Sequence, residues 1–312
     1  MIDTFNIPNN DLKTQVFFNE PISGSEWQVW NKPSNTKFIS IFMLGGGAGG
    51  SGGIATAGTT RFGGAGGGSS SLTMALFPSF MLPDTLFIQV GKGGRGGLGT
   101  PSGSSSNPSP GGVGSLSYVS ILPNTITTNL VLVSGNAVAT GGSNQTAGIG
   151  GTVFTNSQAI FSNGGIINSV AGVSGGVSFT NAAGASINIS NIPVSGGAGG
   201  GAATSTANFS GGSINEFSFL PKILGGISTG STINGNDGYN NKILQNNISN
   251  RNILLFTGGA GGAGFYTGTG GKGGNGSYGS GGGGGGAGFN TSPFSGGTGG
   301  DGGDGIVIIT SW

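Results

Sequence analysis

The chain has 312 residues, of which 74 are glycine and none is cysteine or histidine; ten basic against nine acidic side chains leave a net charge of +1. Without cysteine there are no disulfides, thiolate nucleophiles or iron–sulfur ligands, and without histidine the commonest zinc ligand and acid–base group is missing. So thin and balanced a charge excludes a nucleic-acid-binding surface, while 34% hydrophobic residues, with 19 Phe, exceed what a disordered chain contains.

Met1 to Pro8 has neither a basic start nor an apolar core, so no secretion signal is expected. Strands are predicted at 14–18, 26–30, 37–44, 70–76, 85–90, 115–122, 129–133 and 306–310. These runs are rich in β-branched and aromatic residues and are bounded by Gly, Pro, Asn or Ser. Segments 38–44 and 306–309 are apolar on both faces, which predicts burial from both sides. Weaker strand signals follow at 152–154, 159–161, 177–180, 187–189, 217–220 and 252–256. No window has helical periodicity, and each glycine would cost a helix about 1 kcal/mol. The longest apolar run, 38–44, is too short to cross a membrane as a helix.

Between the strands lie glycine tracts with a common phase. In 46–54 the pattern is Gly-Gly-X with Ala48, Ser51 and Ile54 at X. In 91–98 the X residues are Lys92, Arg95 and Leu98; Ala260 and Ala263, Lys272 and Asn275, and Thr298, Asp301 and Asp304 repeat the spacing. A period of three matches the polyproline II helix, which has three residues per turn and no internal hydrogen bonds. Two bare edges would let such helices pack closely and satisfy one another's backbone groups. Flexible linkers are the alternative, but linkers have no reason to keep a phase. The all-glycine run 281–286 breaks the strict repeat that collagen needs. The expected fold is therefore all-β, with essentially no α-helix: a jelly-roll-like β-sandwich base plus a polyproline II bundle. Residues 1–140 form the base, 141–305 the bundle with Asn/Ser/aromatic loops, and 306–312 a strand returning to the base.

Chemical motifs are sparse. Glycine-rich dinucleotide matches carry no information at this glycine frequency, and Gly273 stands where a phosphate loop after Lys272 needs Ser or Thr. Residues 296–301 fit the start of a calcium-binding nonapeptide, but Gly303 replaces its apolar position and no tandem copy follows. Asp301 and Asp304 are expected to be solvated carboxylates on one helix edge. No cofactor or metal is expected. What remains is a set of aromatic residues in the second half: Phe209, Phe217, Phe219, Tyr239, Phe265, Tyr266, Tyr278, Phe289 and Phe294. Such rings either plug the gaps between glycine layers or form adhesive loops with neighbouring Asn and Ser. The candidate receptor contacts are Tyr239, Phe265, Tyr266, Tyr278, Phe289 and Phe294.

The order of features is familiar. Trp27-Gln28-Val29-Trp30-Asn31-Lys32-Pro33 precedes a strand that runs into Gly45–Gly50; Leu86–Gly94 repeats strand and glycine block, and a Gly-Gly-Asp-Gly-Ile-Val-Ile-Ile strand closes the chain. This resembles the glycine-rich fibre and appendage proteins of bacteriophages and other aquatic viruses. The glycine-rich half is similar to the polyproline-II-bundle adhesin of T-even-like long tail fibres, whose stacked helices present loops to a host receptor. The resemblance implies a non-enzymatic protein of the virion exterior, made in the host cytoplasm and used as a fibre, spike or tail-tip adhesin. Its implied partners are other virion proteins and a host receptor, either glycan or outer-membrane protein, with no nucleic acid, no membrane insertion and homo-oligomers such as a trimer. The alternatives are a minor capsid protein that decorates the shell and a polysaccharide depolymerase, which would need only two carboxylates.

Overall fold

The computed structural model describes residues 13–19, 27–56, 60–104, 106–123, 126, 129–135, 139–155, 164–189, 193–216, 221–228, 235–240, 243–248, 251–289 and 291–312. The fold is all-β, with two main antiparallel sheets, two further two-stranded pairings and a single 3₁₀ turn at Ser79–Met81 among the described residues. The expected strands 159–161 and 217–220, and with them Phe217 and Phe219, lie outside the described residues.

Strands β1 (Lys13–Phe18), β2 (Gln28–Asn31) and β3 (Phe38–Leu44) open the chain, followed by a two-residue β4 (Thr60–Arg61), β5 (Leu72–Pro78), β6 (Thr85–Gln89), β7 (Tyr118–Ser120) and β8 (Leu130–Val133). Then come β9 (Ile166–Val170), β10 (Ala203–Thr204), β11 (Ile243–Ile248), β12 (Arg251–Phe256) and β13 (Ile306–Ser311). One sheet has the order β1-β13-β3-β5-β9 and the other β2-β6-β7-β8. The C-terminal strand thus returns to the first, with Ile308 opposite Val16 on one side and Phe42 on the other.

The alternation of β3 explains the sandwich. Ile39, Ile41 and Met43 point into a core shared with Phe77, Val307 and Ile309 of their own sheet and with Trp30, Leu86, Ile88 and Val119 of the other. Phe42 and Leu44 face the opposite way, into a second cluster with Leu72, Met74, Phe256 and Ile306. The larger sheet is therefore covered on both faces, as the doubly apolar runs 38–44 and 306–309 require.

Several weak strand signals resolve differently. Residues 152–154 and 177–180 form no strand, and Ile187 makes only an isolated bridge to Ile214. There, neighbouring amides look in different directions: Ala185 N–H donates to Val177 and Ile187 N–H to Ser213. The segment 252–256 is a strand, paired with β11 in a separate hairpin.

That rotation of hydrogen bonds is the rule of the glycine tracts. Along 46–54, the N–H groups of Gly46, Gly49 and Gly52 go to Ser115, Gly112 and Ser109; those of Gly47, Gly50 and Gly53 go to Gly303, Gly300 and Gly297. The N–H groups of Ala48, Ser51 and Ile54 go to Gly68, Ala65 and Phe62, so three neighbours are each met every third residue at 2.8–3.2 Å. This is the threefold geometry of packed polyproline II helices.

The all-glycine run sits deepest. Gly281, Gly284 and Ala287 donate to Ser195, Ala198 and Gly201; Gly282, Gly285 and Gly288 donate to Ala48, Ser51 and Ile54. Gly283, Gly286 and Phe289 donate to Gly274, Gly271 and Gly268, while the carbonyls of this tract accept from 64–67, 259–265 and 297–300. With six neighbours, no edge is left for a side chain. A β-carbon at Gly281 or Gly284 would overlap the carbonyl of Gly67 or Gly64, at Gly282 or Gly285 that of Gly300 or Gly297, and at Gly283 or Gly286 that of Ala260 or Ala263. At the rim the third edge is free, and Lys92, Arg95 and Leu98 are all exposed.

Residue 140 marks a change in composition. In space the lattice draws on both sides of it: tracts 46–54, 62–69, 91–99 and 109–115 lie among those of the second half, and β9 joins the first half's sheet.

Two outcomes test this architecture. Gly283→Ala should lower stability by about 3 kcal/mol, because backbone must move to admit one methyl. Leu98→Ala, at an exposed edge, should stay within about 0.5 kcal/mol, as chemical denaturation would show. Deleting 306–312 removes the strand between β1 and β3 and should abolish cooperative unfolding; a retained melting temperature would show that the sheet forms without it.

Candidate functional site

Tracts such as 46–54 and 296–305 adjoin a sheet strand at one end, and the chain reverses at the other. Tract 46–54 continues β3, and at about 3.1 Å per residue it carries Ile54 roughly 25 Å from its start. The reversals beyond it are tied together. Ala55 N–H donates to Thr100 Oγ1, Pro101 bridges Ser295, and Phe289 N–H donates to Gly268. Ala202 N–H donates to Ala182, the hydroxyls of Ser210 and Ser228 lie 3.3 Å apart, and Gly235 N–H donates to Thr269. The topology therefore gathers turns from the whole chain at one far end.

Four of the six candidate aromatic residues lie there. Phe265 is 3% exposed and stacks on Tyr266 at 6.2 Å. Its burial makes it part of the packing and removes it from any contact surface. Tyr266 is half-buried, its N–H held by Asn208 Oδ1 at 2.6 Å. Phe289 and Phe294 pair at 6.3 Å and are likewise half-buried. Because Phe265 N–H donates to Ala287, the two aromatic pairs cap adjoining tracts.

The other two candidates are elsewhere. Tyr278 sits where bundle meets sheet, 5.7 Å from Phe18 and edge-on to Phe256 at 5.5 Å. It acts as a plug between layers. Tyr239 lies on the flank near the sheet end, its carbonyl accepting from Ala260, and its side chain is 64% exposed. Of the remaining aromatic residues in the second half, Phe209 is half-buried and bonded through its backbone to Ala202 and Gly264.

Sequence patterns pass over Arg61, which belongs to the same far end. Arg61 is 3% exposed, with Nη1 donating to Gly288 O and Nη2 to Thr204 O, both at 3.1 Å, and the guanidinium carbon lies 5.3 Å from the centre of the Phe289 ring. The β4–β10 pairing, Arg61 opposite Ala203, holds it in place. Burial pulls its pKa below the ordinary arginine value. A glycine two or three residues from it says nothing of this; only the partner strand does.

The acidic side chains have structural work. Asp301 Oδ1 accepts from Gly96 N–H and Asp304 Oδ1 from Gly93 N–H, each at 2.7 Å. Asp237, Asn240 and Asn275 likewise cap Lys272, Asn275 and Asp301 N–H groups on the adjoining tracts. These bonds close the rim of the lattice, where the next tract's carbonyls are out of reach. Among the described residues no group of three or more acidic side chains is placed to hold a metal. A groove of about 380 Å³ beside the smaller sheet is lined by Val90, Val113, Leu116, Tyr118 and Ile126. Burial raises the pKa of the Tyr118 phenol above its ordinary value.

A family model described as a glycine-rich domain matches residues 22–312, and the chain belongs to that family. A search of curated proteins returns no match.

The two environments separate by mutation. Phe265→Ala should cost about 3–5 kcal/mol, the loss expected for a buried ring. Tyr239→Ala should leave the melting temperature nearly unchanged, and calorimetry on both variants checks the contrast.

Proposed function

We propose that this protein is a non-enzymatic attachment protein displayed on the exterior of a virus particle, seated through its sheets and binding a host receptor through the far end of its bundle. The observation that supports this reading most is the gathering of turns at the end of a lattice whose interior has almost no side chains. Glycine tracts offer spacing and stiffness, and recognition falls to what interrupts them. Asn, Ser and Thr in those turns supply adaptable hydrogen bonds beside rigid aromatic area, the composition of adhesive loops. The resemblance to phage fibre and appendage proteins points the same way. At the opposite pole Phe80 is 87% exposed, and Phe38 stacks on Trp312 at 5.9 Å. Exposed apolar surface of that kind suits contact with other virion proteins.

Labelling purified particles with an antibody against this chain should mark a vertex or tail tip; uniform labelling over the shell would favour the decorating role instead. Tyr266→Ala should weaken adhesion to host cells by roughly thirtyfold, a loss typical of a hot-spot ring, with little change in melting temperature. Tyr239→Ala should bind as the parent does. Loss of adhesion in the flank variant alone would move the site away from the far end.

A further inference from the structure

Among the described residues Arg61 is a buried cation without an acidic partner. The one ion pair among the described residues is Lys32 with Asp84, far away at the sheets. A guanidinium has five N–H donors in a fixed fork. Two bonds at the Nη ends are made to carbonyls, and Phe289 covers one face. The Nε donor is buried with no hydrogen-bond partner among the described residues. Buried polar atoms are nearly always paired, and an uncompensated charge in a desolvated place is more costly still. The edge that carries Nε and the adjoining Nη is the one that grips a carboxylate with two parallel bonds.

We propose that the far end of the bundle contains a carboxylate-binding site centred on Arg61, its ligand lying in the guanidinium plane against the Nε edge. The inference rests on the far end being the recognition surface and adds the chemical class of what it recognises. The carbonyls of Gly288 and Thr204 fix the fork, and the Phe289 ring directs approach to the edge. Nε is out of contact with solvent, so the turns around it part to admit a single carboxylate, and water does not screen the contact once it is made. Asn208, whose side-chain carbonyl orders Tyr266 and whose backbone bridges Ala203 opposite Arg61, ties this site to the aromatic pair beside it. The carboxylate has two sources, a free small acid or the acid group of a sugar.

Melting temperature at constant ionic strength distinguishes them, with acetate, glucuronate, chloride and uncharged glucose as probes. The parent should be stabilised by glucuronate and not by glucose or chloride; protection by acetate as well would assign a general carboxylate site, and by glucuronate alone a sugar-acid site. Arg61→Met should lose that protection, with affinity down at least tenfold. Arg61→Lys, which keeps the charge but not the fork, should retain a weaker response and guards against a folding defect in the first variant. Equal behaviour of all probes on the parent, or unchanged protection in Arg61→Met, overturns the proposal. Cell adhesion is scored in parallel. Adhesion without carboxylate protection refutes the Arg61 site alone, and protection without adhesion refutes the attachment reading alone.

Discussion

The hydrogen bond between the N–H of one glycine tract and the C=O of its neighbour is the contact from which the rest of the molecule follows. A polyproline II helix satisfies none of its own backbone groups, and a buried amide left unpaired costs about 1–3 kcal/mol. Each tract is therefore stable only inside a set of neighbours at the right distance and phase. At most enclosed edges the distance is so short that a methyl group cannot enter, which fixes glycine there, while Ala48, Ala198 and Ala260 occupy the buried positions where a methyl fits. The high glycine content is a requirement of packing here, although glycine loses more conformational freedom on folding than any other residue.

The sheets and the lattice complete one another. Strand β3 runs directly into tract 46–54, and β13 emerges directly from the tract that ends at Gly305. The tracts have only a small hydrophobic cluster of their own, around Ile187, Ile189, Ile214, Ile223 and Leu255, so the sandwich supplies most apolar burial through Phe77, Ile41 and Leu86. Conversely, the outer face of the larger sheet would be open without Val194, Phe256 and Tyr278, which come from the bundle side. Charges are left to the rim, where carboxylates and amides substitute for missing carbonyls, with Arg61 the buried exception.

Much of this was legible in the residues. β-branched runs marked most strands of both sheets, and the three-residue phase marked the tracts, since each reports a local geometry. Which tract touches which was not legible: Gly93 meets Asp304 and Arg61 meets Gly288 across more than two hundred residues. The aromatic candidates divide for the same reason. Tyr239 and Phe265 look alike in sequence, flanked by small and polar residues, but one stands on a free edge and the other ends an enclosed tract. Strand β9 was missed because Ile166 and Ile167 lack a clear alternation, and its place in the sheet comes from pairing with β5.

The threefold phase has a consequence for how such a chain can change over generations. One extra residue within an enclosed tract would turn all later residues of that tract by a third of a rotation, driving X side chains into neighbouring carbonyls. Three extra residues restore the phase but lengthen one rod, so the surrounding rods must grow with it. The turns at the far end obey no such arithmetic. Lineages of this fold should therefore keep their rods in steps of three and accumulate their insertions, deletions and substitutions at the tip.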